Sequence, residues 1–159
     1  MEKIDWIGEY LEEALRLADT EGHERALMLL DKLLYEEPGY GRLHFTLGKI
    51  YFTYTDQVAN AEMHLKLAIK FDRELADPYL YLGCLLIDEE RYNEAIDVYI
   101  RGLNAKRAFK AGLHSGAARS YELMKKYKKA IAHYQDALSY SAETNQCYVL
   151  EASIERCRT

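Results

Sequence analysis

Proline is scarce in this sequence: Pro38 and Pro78 are the only two in 159 residues, so little interrupts helix formation along the chain. Cysteine is scarce too. Cys84, Cys147 and Cys157 form an odd set with no Cys-x-x-Cys pair, which argues against a disulfide framework or a cysteine zinc site and fits a reducing cytoplasm. No stretch approaches the roughly 20 consecutive apolar residues of a membrane helix. The N-terminal MEKIDWIGEYLEE is acidic and lacks the apolar core of a secretory signal. A net charge of −5 provides no general attraction to nucleic acid. Glycine-rich phosphate loops, nucleophile elbows and His-Glu-x-x-His stretches are all missing.

What the chain does have is helical periodicity. From Asp77 to Leu103 two amphipathic helices are expected. Asp77 and Pro78 suit a helix start, and Tyr79, Leu82, Gly83 and Leu86 then share one face. Tyr92, Ala95, Ile96, Tyr99, Gly102 and Leu103 form the stripe of the second helix. Gly83 and Ala95 sit among bulky neighbours, where a small side chain lets two helices approach closely.

This pattern recurs. Ala14, Gly48, Gly83 and Ala118 fill the small slot of each first helix, and Ala26, Ala61, Ala95 and Ala130 that of each second helix, at intervals of 34 or 35 residues. Leu30, Leu65, Tyr99 and Tyr134 follow those alanines in turn. The spacing Tyr79-x2-Leu82-Gly83-x2-Leu86, followed by Ala95-x3-Tyr99, resembles the tetratricopeptide repeat. The resemblance implies an all-α fold: a right-handed superhelical array of antiparallel helix pairs, a solenoid. The expected organisation is one domain over residues 1–159, with repeats at about 7–40, 41–75, 76–110 and 111–144 and a capping helix over 145–159. The first helix is expected from about Asp5 to Asp19, and Tyr148 and Ala152 are expected to carry the register into the capping helix. Nine of the fourteen tyrosines fall in packing slots: Tyr10, Tyr51, Tyr79, Tyr92, Tyr99, Tyr121, Tyr127, Tyr134 and Tyr148.

In a stack of helix pairs the first helices line the concave side. Rotating off their core stripes gives Leu11 and Leu15, then Arg42, Phe45 and Lys49, then Leu80 and Tyr81, and finally Arg119. Phe45, Leu80, Leu11 and Leu15 are more apolar than a solvated face requires. Gly112 and Gly116 are expected to leave the groove open near its end, and Arg42, Lys49 and Arg119 add positive charge. The expected function is a non-enzymatic adaptor or scaffold, whose groove takes an extended or helical peptide with apolar anchors and some acidic character.

The resemblance also brings to mind a subclass that clamps the C-terminal carboxylate of heat-shock chaperones with lysines, asparagines and an arginine. In the register starting from the first repeat those slots hold Leu11, Leu15, Thr46, Asp77 and Tyr81, which make no such clamp. Two alternative readings stand beside the adaptor. One is a small secretion-type chaperone that holds a client segment. The other is a self-assembling structural protein that joins through its ends. Residues 7–40 carry nine acidic and three basic residues, whereas residues 111–144 carry three acidic and five basic, with Lys125, Lys126, Lys128 and Lys129 at one turn. The expected partner is a protein or peptide, with self-association possible in principle and neither nucleic acid nor membrane involved. No cofactor and no metal are expected. His44 and His114 occupy one packing slot in different repeats, His64 and His133 another, and equivalent slots lie on different layers of a stack. Cys84 is expected in the groove or core.

Overall fold

A computed structural model describes residues 6–159. Among the described residues there are nine α-helices and no strand: α1 (Trp6–Thr20), α2 (His23–Glu36), α3 (Gly41–Tyr54), α4 (Val58–Phe71), α5 (Asp77–Asp88), α6 (Tyr92–Gly102), α7 (Lys110–Leu123), α8 (Tyr127–Tyr140) and α9 (Thr144–Arg158). The expected start of the first helix at Asp5 lies outside the described residues. The chain divides into two compact units, residues 1–78 and 79–159, each with its own packing.

Helix contact is set by the small residues. Ala14, Ala26, Ala61, Ala95, Ala118 and Ala130 are fully buried, and Gly48 and Gly83 are buried with them. In the first unit, a Cβ on Gly48 would stand 2.8 Å from Leu65 Cγ, too close for any real side chain. Leu11, Ala14, Ala18, Ala26, Leu30, Leu33, Leu43, Leu47 and Ile50 form one cluster there, built from α1, α2 and α3. In the second unit a Cβ on Gly83 or on Gly116 would run into the ring of Tyr99. Tyr99 is itself buried, and its hydroxyl donates to Cys84 Sγ at 3.5 Å. The space expected to be open at Gly116 is therefore filled by an aromatic ring, and at Gly112 a Cβ would meet Phe109 Cδ1 at 2.5 Å. Cys84 is exposed, so it belongs to the helix surface rather than to the core.

Most helix starts carry no side-chain cap. The N-cap positions of α2, α3, α4, α6, α7, α8 and α9 make no side-chain cap hydrogen bond. At the C-termini of α5 and α7 the chain turns through the left-handed region at Glu90 (φ 58°) and Lys125 (φ 58°). The following amides close back on the helix: Arg91 N–H to Leu86 O at 2.8 Å and Lys126 N–H to Tyr121 O at 2.9 Å. This is the Schellman closure, which normally favours glycine at the left-handed position.

The last helix is rotated from its expected register. Tyr148 is 65% exposed and Ala152 is exposed, while Leu150, Ser153, Ile154 and Cys157 face inward. Residues 150, 154 and 157 satisfy helical spacing as well as 148 and 152 do, and the larger apolar side chains take the buried face. Leu150, Ile154 and Cys157 close a second cluster with Ala118, Ala130, Tyr134 and Ala137. Glu122 locks α9 in place. It accepts hydrogen bonds from Arg156 Nε at 2.6 Å and Tyr134 OH at 2.7 Å, and pairs with Arg119 at 3.2 Å. Arg156 foremost, with the Tyr134 and Arg119 hydrogen bonds adding to it, draws the Glu122 carboxyl down to about 2 against the cost of burial. Tyr10 and Tyr127, each 45% exposed, also lie outside the packing role expected of them.

Candidate functional site

A cleft of about 150 Å³ opens in the first unit between α1, α3 and the segment leading into α5. Leu11, Leu15, Arg42 and Phe45, all expected groove residues, line it together with Glu12, Thr46, Leu75 and Asp77. Helical spacing explains the convergence: Leu11, Glu12 and Leu15 share one side of α1, and Arg42, Phe45 and Thr46 share one side of α3. Thr46 is held down by a hydrogen bond from its hydroxyl to Arg42 O at 3.0 Å. Four of the five clamp slots named for the carboxylate-binding subclass, Leu11, Leu15, Thr46 and Asp77, border this cleft. Their side chains are apolar, hydroxylic and acidic, so they do not provide the cations such a clamp uses.

The expected residues differ in how they are presented. Leu11 is 3% exposed and forms the cleft floor as a core residue, whereas Leu15 and Phe45 are half-buried and Arg42 is exposed. The volume is comparable to an apolar cavity that holds one benzene ring, so one aromatic or branched side chain fits. Two carboxylates, Glu12 and Asp77, stand at the rim with the single guanidinium of Arg42. The acidic character expected of the ligand thus gains no support from the cleft. Lys49 is half-buried on α3 and is not part of the lining. In the second unit Leu80 and Tyr81 are half-buried on α5, and Arg119 is turned to Glu122.

Sequence reasoning missed the pairing of the histidines. Two slots that lie on different layers between repeats face each other within one helix pair. Across α3 and α4, His44 Nδ1 lies 2.9 Å from His64 Nδ1. Across α7 and α8, His114 Nδ1 lies 3.2 Å from His133 Nδ1. The signal was present as two histidines 20 residues apart in one copy and 19 apart in the other. Among the described residues, His114, His133 and Asp136 bring three possible ligand atoms within 4.8 Å of one another.

Two stretches of the chain, residues 76–109 and 112–144, match the tetratricopeptide repeat family model. These are tetratricopeptide repeats. The fold agrees with solved structures. MamA superposes with a TM-score of 0.78 at 22% identity, covering 91% of this chain and 81% of that one. The TPR domain of Arabidopsis OM64 gives 0.64 at 15% identity, over 74% and 93%. Yeast Tom70 gives 0.85 at 14% identity over 98% of this chain, which corresponds to 34% of Tom70. No curated protein matches the chain in sequence. The repeats account for the helix pairs α5/α6 and α7/α8 and for the buried alanines Ala95 and Ala130. Among the described residues no helix is long and apolar enough to cross a membrane.

Proposed function

We propose that this tetratricopeptide repeat protein is a non-enzymatic adaptor that seats a side chain of a protein or peptide partner in the cleft between α1 and α3. The observation that carries this reading is the convergence of Leu11, Leu15, Phe45 and Leu75 on one opening large enough for a single anchor side chain. An apolar anchor of this kind leaves water on binding, and the half-buried Phe45 provides an aromatic wall that loses little conformational freedom. Glu12, Asp77 and Arg42 at the rim would select the residues that flank the anchor, with two carboxylates favouring a basic neighbour. Leu80, Tyr81 and Lys49 belong to the wider partner surface in this reading, which makes affinity depend on more than the one anchor.

The test is selection from a displayed peptide library with the purified chain, followed by binding of the selected peptide to Phe45→Ala and Leu15→Ser variants checked for unchanged melting. The reading expects peptides with one large apolar residue, and at least about tenfold weaker binding by each variant, as deletion of an interface anchor gives. Peptides that bind both variants as well as the native chain would move the site away from this cleft. Selection of nothing but the chain's own segments would replace the adaptor by self-association.

A further inference from the structure

We propose that His114, His133 and Asp136 form a binding site for a divalent transition-metal ion of the Zn2+ type on the helix pair α7/α8. The three ligand atoms come from two helices. His114 projects from α7, while His133 and Asp136, three residues apart, share one side of α8. The two Nδ1 atoms are 3.2 Å apart, and Asp136 Oδ2 is 3.8 Å from His114 Nδ1. Imidazole nitrogens bound to zinc at about 2.0–2.1 Å with that separation subtend an angle of about 100° at the ion, close to tetrahedral. The three ligand atoms all lie within 4.8 Å of one another, and two ligands of one tetrahedral zinc stand about 3.4 Å apart, so the carboxylate has to swing inwards by roughly 1 Å. Asp136 has the freedom to do so, because its side chain is 58% exposed.

The imidazoles do not have that freedom. His114 stacks on Tyr140 at 5.7 Å, and His133 on Tyr121 at 5.4 Å, so both rings are held in place; their Nδ1 atoms share a hydrogen bond, and an ion takes both only when the donor ring's proton moves to its Nε2. Imidazole and carboxylate together suit zinc and its neighbours in the transition series better than calcium or magnesium, which favour all-oxygen sites. Three protein ligands leave a fourth position for water or for a group on a partner. Two cations set a limit on affinity. Lys110 Nζ lies over Tyr140 at 5.1 Å and Lys129 Nζ over Tyr121 at 5.5 Å, and both oppose a dication electrostatically.

The helix pair α3/α4 shows what the same slots look like without a carboxylate. The position corresponding to Asp136 is Leu67, and the two imidazoles there are both buried; they are bonded to each other at 2.9 Å, against 3.2 Å in α7/α8, and His44 is held in addition by the Pro38 carbonyl.

The test is titration of the full chain with Co2+, followed by its visible d–d absorption, in the native chain and in Asp136→Asn and His133→Gln. The expected result is a set of tetrahedral bands saturating at one ion per chain, with binding weakened at least tenfold in both variants, and competition by Zn2+. Asp136 is exposed, so its variant keeps the test valid even if His133→Gln fails to fold. Absence of the bands at saturating Co2+ would overturn the proposal. So would bands unchanged in Asp136→Asn, or bands accompanied by thiolate charge transfer, which would assign the ion to Cys84 or Cys147.

Discussion

The helix pairs α3/α4 and α7/α8 hold two histidines in the same pair of slots, flanked by corresponding aromatic rings, and yet they reach different ends. In α3/α4, His44 is 3% and His64 7% exposed, His44 stacks on Phe71 at 5.3 Å, and His64 stacks on Tyr51 at 5.7 Å. His44 Nε2 lies 2.9 Å from Pro38 O. A carbonyl only accepts, so that nitrogen carries the proton, His44 Nδ1 accepts, and His64 Nδ1 donates to it. Both rings are thereby committed to each other and to the backbone. In α7/α8 the rings are only half-buried, the nitrogens are further apart, and a carboxylate stands one helical turn along. One leucine-to-aspartate difference, Leu67 against Asp136, and a lesser degree of burial separate a packed polar pair from a ligand set. The frame is shared, and the chemistry depends on what closes it.

Removing the α7 or α3 histidine should break the symmetry most visibly. His44→Ala deletes a buried ring and leaves the Pro38 carbonyl and the His64 N–H without their partner, so a loss of about 3 kcal/mol is expected in urea unfolding. His114→Ala removes a less deeply buried ring, 13% exposed, and should cost less, about 2 kcal/mol. Equal losses would mean that the two pairs do the same structural work. The shared frame can be tested at its contact points: Gly83→Leu would force a side chain into the Tyr99 ring, and overpacking of this kind costs about 1–3 kcal/mol by thermal or urea melting.

Acid should loosen α3/α4. Burial above all, with His44 beside it, lowers His64 to about 4 from an ordinary 6.5, and the Asp31 carboxylate acts in the opposite direction. Because the folded value is depressed, the unfolded chain takes up the proton first. The contribution is complete above pH 6.5 and is lost as pH falls towards 4, by about 2–3 kcal/mol for a ring buried this deeply. His133 is lowered in the same direction, also mainly by burial. Glu122 behaves differently: its contribution persists down to 4.5 and fades towards 2, so the anchor of α9 should survive where His64 has failed. Amide NMR signals followed in urea at neutral pH and near pH 5 would separate these windows. The smallest effect expected is a gain. Lys125→Gly relieves a left-handed residue at the end of α7 and should add about 0.5–1 kcal/mol, whereas a loss would mean that the lysine side chain has its own structural role.

Much of the fold could be read from residue size alone. A glycine or alanine among bulky neighbours at 34- or 35-residue intervals can only mark a close helix contact, and Ala14, Gly48, Gly83 and Ala118 are indeed buried where helices meet. The candidate cleft was legible in part. Leu11, Leu15, Arg42 and Phe45 follow from helical register, but Leu75 comes from a connecting segment that has no register to read. Two helical stripes compete on α9, and sequence spacing alone does not choose between Tyr148 and Leu150. The histidine pairs were hidden for a related reason. Register places each ring on its own helix, but which rings meet depends on how the two helices cross.

The contrast between the two pairs is tested most directly by long-range proton–nitrogen NMR of the five histidines, without and with Zn2+. The account predicts His44 with its proton on Nε2 and His64 with its proton on Nδ1, both unmoved by zinc, while the signals of His114 and His133 shift together with one equivalent. Zinc that moves neither pair, or that moves His44 and His64 as far as His114 and His133, would contradict it.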